Sequence, residues 1–290
     1  MKQFLLLLKS LFLYLGLAPV AFSQAYLVKD INPGLANETG RDTRTFSRVV
    51  MGNFTYFSFN DGVHGFELWK SDGTPQGTTL VKDILPGGLS ASPQHLTVVG
   101  NAIYFMASDG INGRELWKSD GTTEGTTMVK DIAIGASSSN VYNLTNLNGT
   151  LIFQATTASY GSELWISDGT AAGTMLIKDI NEGTSSSLIN NLHVIGNQLF
   201  FTANDGIHGT ELWTSDGTSS GTVLLKDINP GSASTMFIKF LATNNRLYFS
   251  AVDPVYGLEL WKSDGTVAST SMVKDIMPGA GDAAIHQFAQ

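Results

Sequence analysis

The sequence has no cysteine, little charge and little proline: of 290 residues, 14% are charged and 8 are Pro. Without Cys there is no disulfide scaffold, no Cys-ligated zinc or iron–sulfur centre and no thiol nucleophile. Basic residues are the minority, 17 Lys+Arg against 25 Asp+Glu, and the formal charge is −8. That balance gives no electrostatic footprint for nucleic acid. Beyond residue 23 no apolar run approaches the roughly 20 residues of a membrane helix. Nor is there a Gly-x-Ser-x-Gly elbow, a His-Glu-x-x-His pair or a phosphate loop. What is abundant is glycine, 31 residues, in a chain that is 42% hydrophobic. That content is globular, not disordered, and low charge with high Gly leans toward β structure.

The N-terminus reads as an export signal. Lys2 and Lys9 flank a Leu run, Leu11 to Phe22 carries no charge, and Ala21-Phe22-Ser23 offers a cleavage site before Gln24. Removing residues 1–23 takes away both lysines and carries the net charge from −8 to −10. An exported chain without Cys points to a bacterial surface or medium.

The remainder, 24–290, is one unit written five times. All 5 Trp stand in Glu-Leu-Trp, at Trp69, Trp117, Trp165, Trp213 and Trp261, 48 residues apart. Ser-Asp-Gly-Thr follows each time (Ser71 to Thr74 in the first), and Lys-Asp-Ile closes each unit at Ile84, Ile132, Ile180, Ile228 and Ile276. The units run at about 45–84, 85–132, 133–180, 181–228 and 229–276. A lone closing piece, Tyr26 to Ile31, precedes them, and His286 to Phe288 begins a further strand.

Each unit reads as four short strands, a to d. Gly52-Asn53, Gly100-Asn101, Asn148-Gly149, Gly196-Asn197 and Asn244-Asn245 are tight a–b turns. Strand b is nearly all apolar, as in Ile103-Tyr104-Phe105, which implies burial on both faces. Four antiparallel strands in 40 to 50 residues, repeated, are the signature of a β-propeller blade. A solenoid uses shorter, simpler rungs. The expectation is therefore an all-β propeller in which each blade stacks its Trp and Phe on the same residues of the next. The orphan d piece and the C-terminal a strand leave only b and c of a sixth blade missing. The sequence stops at Gln290 inside an expected strand, so the expectation is a truncated six-bladed ring or the front of a longer protein. A five-bladed ring with spare terminal strands is the alternative.

Of 25 acids, 16 sit at recurring Glu67-, Asp72- and Asp83-type positions, so most of the charge is architectural. Extrapolating a regular ladder from Asp72 opposite Gly77 places Glu67 opposite Lys82. A cross-strand ion pair is expected in every blade, through Glu259–Lys274. The c–d loop Ser71 to Thr78 reads as a structural turn rather than a cation site. Ser269 replaces its second Gly in the fifth copy and implies a looser loop there.

Candidate binding residues lie where the copies differ. The b–c and d–a loops share one rim, and one b–c column reads His64, Asn112, Tyr160, His208, Tyr256. Polar and aromatic residues on loops of a rigid scaffold are of the kind that contact sugars or peptides. The first d–a loop is longer and carries Arg41, Asp42 and Arg44, as a lid or a terminal irregularity would. No catalytic constellation, cofactor or metal site is expected: Asp61-Gly62 lacks an Asp-x-Asp-x-Asp run, and the third copy lacks the Asp.

The motif Glu-Leu-Trp-x-x-Asp-Gly-Thr, matched in all five copies over about residues 26–290, resembles that of bacterial ELWxxDGT-repeat (hyalin-repeat-like) exported proteins. The resemblance implies an extracellular or surface role, with adhesion to glycans or proteins as the activity, and carries no catalytic residues over. A scaffold repeat without its own ligand is the alternative, and a carbohydrate-active propeller enzyme a more distant one.

Overall fold

The computed structural model describes residues 27–31, 48–243, 245–283 and 285. The stretch expected to be an export signal, Tyr26, the long first d–a loop and the residues expected to begin a further strand at His286–Phe288 lie outside these described residues. All regular structure within them is β. The first sheet comprises β1 (Arg48–Met51), β2 (Phe54–Asn60), β3 (Phe66–Ser71) and β4 (Thr79–Lys82). The second has β5 (Gln94–Val99), β6 (Ala102–Ser108), β7 (Arg114–Ser119) and β8 (Thr127–Lys130). The third has β9 (Tyr142–Leu147), β10 (Thr150–Thr157), β11 (Gly161–Ser167) and β12 (Met175–Lys178). The fourth has β13 (Asn190–Ile195), β14 (Gln198–Asn204), β15 (Thr210–Ser215) and β16 (Val223–Lys226). The fifth has β17 (Phe237–Ala242), β18 (Leu247–Asp253), β19 (Gly257–Ser263) and β20 (Ser271–Lys274).

Each sheet is an antiparallel meander in chain order. The first strands, β1, β5, β9, β13 and β17, pack in succession, so the sheets radiate as blades of a β-propeller. Residues 27–31 join no sheet ladder among the described residues.

The apolar content sits between blades. Four clusters fill the four successive junctions. At the first, Tyr56, Leu68, Val81 and Ile84 of one sheet meet Ile103, Phe105, Ala107 and Trp117 of the next. Trp and Phe thus pack against the opposite, aliphatic face of the preceding blade and not against their own copies. A blade has two unlike faces because side chains alternate along a strand. Phe105, Phe153, Phe201 and Phe249 are fully buried, and every Trp is buried. Each such burial stabilises the fold by about 1.5–3 kcal/mol.

The expected Glu67–Lys82 ion pairs do not form. A bulge between Leu68 and Trp69 shifts the register, so Lys82 stands opposite Leu68. The same register shift recurs between β7 and β8, β11 and β12, β15 and β16, and β19 and β20. Glu67 turns inward, wholly buried, and accepts the backbone N–H of Ile84 (2.9 Å) and Ala91 (3.1 Å). Burial pushes the carboxyls of Glu67, Glu163 and Glu211 up to about 7, against these N–H donors. Lys82 instead donates to the Thr126 carbonyl of the next blade (2.8 Å), as Lys130 does to Thr174 (2.7 Å).

The c–d loop is a closed hydrogen-bond unit. Asp72 Oδ1 accepts from the Thr74 N–H (2.9 Å) and hydroxyl (2.7 Å), and the Thr74 Oγ1 accepts from the Gly77 N–H (2.9 Å). A Cβ on Gly77 would stand 2.0 Å from Asp72 Oδ1. In the fifth copy the loop is not simply looser: the Ser269 hydroxyl donates to Asp264.

Candidate interaction rim

The b–c loops are built by their first acid. Asp61 Oδ1 accepts the N–H groups of Val63 (2.9 Å) and His64 (2.8 Å), an Asx turn that leaves residue 63 at the tip. Asp109 and Asp205 repeat this with Ile111 and Asn112, and with Ile207 and His208. Each b–c loop is then clamped to the d–a loop of its own blade. Gly65 has φ +70°, and a Cβ there would lie 2.2 Å from the Leu89 carbonyl oxygen. Ser90 Oγ accepts the Phe66 N–H (2.9 Å), and Ser138, Ser186 and Ser234 serve Arg114, Ser162 and Thr210 alike. Two loops per blade therefore form one rigid tip.

Three members of the variable column are engaged within their own loop. His64 Nδ1 lies 2.7 Å from Asp61 Oδ2, His208 Nδ1 lies 2.7 Å from Asp205 Oδ2, and Asn112 Nδ2 donates to Asp109 Oδ2 (2.7 Å). The hydrogen bond to the acid raises both His pKa values above the ordinary range. Burial pushes the Asp61 carboxyl up, but donors from His64 and Val63 outweigh it, and it falls below its usual value. Tyr160 and Tyr256 differ: their rings are exposed on loops where Thr157 and Asp253 bind only backbone N–H groups. The column thus divides into three polar side chains that stiffen the loop and two tyrosines that face solvent.

The neighbouring column presents more apolar surface. Val63, Ile111, Ile207 and Val255 are 65%, 73%, 67% and 62% exposed at equivalent loop tips. Leu89, Ile134 and Met236 on the d–a loops are exposed as well. Single exposed aliphatic residues are ordinary, but recurrence at the tip in four of five blades makes a band along one rim. Sequence reasoning passed over this column because an apolar residue is read as core by default. Its signal was available: the residue follows Asp-Gly or Asp-Pro in a turn, outside any strand.

The inner strands hold a second feature absent from the sequence reading. His95, Asn143 and Asn191 adopt φ of 58°, 53° and 55° at bulges of β5, β9 and β13. The His95 ring packs edge-on to Tyr142 at 5.1 Å, and burial lowers its pKa. Among the described residues no group of three or more His, Asp or Glu is placed to hold a metal ion. Among the described residues there is no helix long and apolar enough to cross a membrane.

Blade order, junction packing and a rim of variable loop tips define the class as a β-propeller. No family model and no curated protein matches the chain. Solved structures similar to it include the computationally designed Ika8 protein, at 14% identity and TM-score 0.44, with 79% of this chain and 60% of that chain covered. Prolyl oligopeptidase B from Galerina marginata is 12% identical at TM-score 0.49, with 80% of this chain and 37% of that chain covered. A putative TolB from Agrobacterium tumefaciens is 8% identical at TM-score 0.44, with 79% and 80% covered.

Proposed function

We propose that the chain is an exported or cell-surface binding module of the ELWxxDGT-repeat kind, engaging an extracellular protein or glycan through its b–c/d–a rim. The observation that carries this reading is the recurrence of Val63, Ile111, Ile207 and Val255 as exposed tips on otherwise rigid loops. Folding does not need apolar side chains there, since each contributes most when removed from water. Tyr160 and Tyr256 lie one residue further along equivalent loops and add exposed aromatic surface. The export signal in residues 1–23 and the repeat resemblance support the location. The role is binding rather than catalysis, with Asp61, Asp109 and Asp205 of the rim engaged in shaping the loops. Retention of residues 24–290 on arrays of extracellular glycans and matrix proteins tests it. A ligand that is retained, and lost when Tyr160, His208 and Tyr256 are all replaced by Ala, supports the rim. No retained ligand, or one indifferent to these changes, contradicts it and leaves a scaffold blade array.

A further inference from the structure

On the c–d rim an aromatic ring fills the junction between successive described blades, except where the third blade meets the fourth. In the first blade Tyr56 and Lys70 reach over the c–d loop of the second. A Cβ on Gly121 would collide with the Tyr56 hydroxyl, and Lys70 Nζ donates to the Gly121 carbonyl (2.8 Å). Tyr104 and Lys118 of the second blade repeat this at Gly169, with Lys118 again at 2.8 Å. Phe200 of the fourth blade takes the same place beside Gly265.

The third blade has Ile152 and Ile166 at these two positions. Both are shorter than Tyr and Lys, and neither carries a donor. The atom nearest to a Cβ on Gly217 is Ile166 Cδ1, at 3.4 Å, and Gly217 is half-buried where Gly121 and Gly169 are buried. A cleft of about 500 Å³ opens there, lined by Leu147, Ile152 and Ile166 together with Asn148, Gln198 and Asp216. Leu147 and Ile152 are buried while Asn148 and Asp216 are exposed, so the cleft is apolar at depth and polar at its mouth. That size and lining suit a small molecule. Hydrogen bonds from Thr122 and Thr170 hold the Asp120 and Asp168 carboxyls below their ordinary range, and Lys70 and Lys118 add to this. Asp216 is held low by Thr218 with no lysine contributing.

We propose that this cleft binds a small arylalkylammonium. Its aromatic ring lies on Leu147, Ile152 and Ile166, where Tyr56 and Tyr104 place theirs in the two preceding junctions. Its ammonium meets the Gly217 carbonyl and the Asp216 carboxylate, as those of Lys70 and Lys118 meet Gly121 and Gly169. The ligand thus supplies to the third junction what the chain itself supplies to the first two. An ammonium is a donor only, and a charge-assisted bond to a carboxylate is stronger than a neutral one. The site lies on the rim opposite the b–c/d–a tips, so it stands or falls independently of the binding role proposed for them.

Phenethylammonium chloride is the probe, 2-phenylethanol its neutral counterpart, and titration calorimetry of the full chain the readout. Saturable binding is expected, about tenfold or more tighter for the ammonium than for the alcohol. Ile152→Tyr with Ile166→Lys installs the groups of the first two blades. It is expected to weaken ammonium binding about tenfold or more while the melting temperature holds or rises. Should that variant melt early, Asp216→Asn decides, since it keeps the Oδ1 that accepts the Thr218 N–H. Weakened binding there supports the site and unchanged binding overturns it. Absence of saturable binding, equal binding of the alcohol, or binding indifferent to the filled cleft overturns the proposal.

Discussion

The carboxylate of Glu67 accepts the backbone N–H of Ala91, twenty-four residues on, at 3.1 Å. Glu115 with Ser139 and Glu211 with Thr235 repeat the contact, each at 3.1 Å. A buried acid on strand c thus fixes the start of the d–a connection, which carries the chain to the next blade. Such an acid determines where the rim loops sit, since each d–a loop is clamped in turn to its b–c loop.

These acids set the pH dependence of stability. Burial holds the Glu67, Glu163 and Glu211 carboxyls at about 7 in the folded protein, above the ordinary 4.5. Their stabilising contribution is therefore fully present below about pH 4.5 and is lost as pH rises through 7. The lowered acids of the loops, Asp72 and Asp168 among them, work oppositely and lose their contribution as pH falls below their folded values. Thermal melts should show maximal stability near pH 5, with a fall by pH 8. Glu163→Gln should flatten the upper limb. Glu211→Ala should cost about 3 kcal/mol or more, since it strips acceptors from buried N–H groups.

The c–d loops should respond to glycine replacement according to their Asp. A Cβ on Gly173 would lie 2.2 Å from Asp168 Cγ, so Gly173→Ala should destabilise by about 1–3 kcal/mol in urea unfolding. Ser269→Gly restores the common residue and should change stability by less than about 0.5 kcal/mol.

One column should give unequal costs in two blades. Ile228 is buried in the junction ahead of it, and Ile228→Ala should cost about 2–5 kcal/mol. Ile276 is the same residue one repeat later, half exposed, and Ile276→Ala should cost less than about 1 kcal/mol. Equal losses would mean that the fifth blade is covered as the fourth is.

Much of this fold was legible because the chain repeats itself. The a–b turns announce themselves through residues that accept positive φ, and Gly52, Gly100 and Gly196 adopt it at 60°, 59° and 57°. The largely apolar β6 is buried on both faces, as its composition implies. What escaped was geometry that one residue of slippage controls. The bulge at Leu68/Trp69 has no residue signature of its own, yet it moves Lys82 opposite Leu68 and frees Glu67 to turn inward. The rim was half legible: its location follows from strand order, and Tyr160 and Tyr256 were singled out. The partners of His64 and His208 lie three residues away across an Asx turn and need coordinates to be seen.

The central claim is that the repeated aliphatic tips, and not the blade hardware, form the interaction surface. The most direct measurement is the affinity of an array-identified ligand for the parent chain and for one carrying Val63→Ser, Ile111→Ser, Ile207→Ser and Val255→Ser together. All four are exposed, so the melting temperature should not move. The expected result is an affinity loss of about tenfold or more at unchanged stability. Unchanged affinity, or an equal loss when the exposed Val267 of the opposite, c–d rim is replaced by Ser instead, would contradict it.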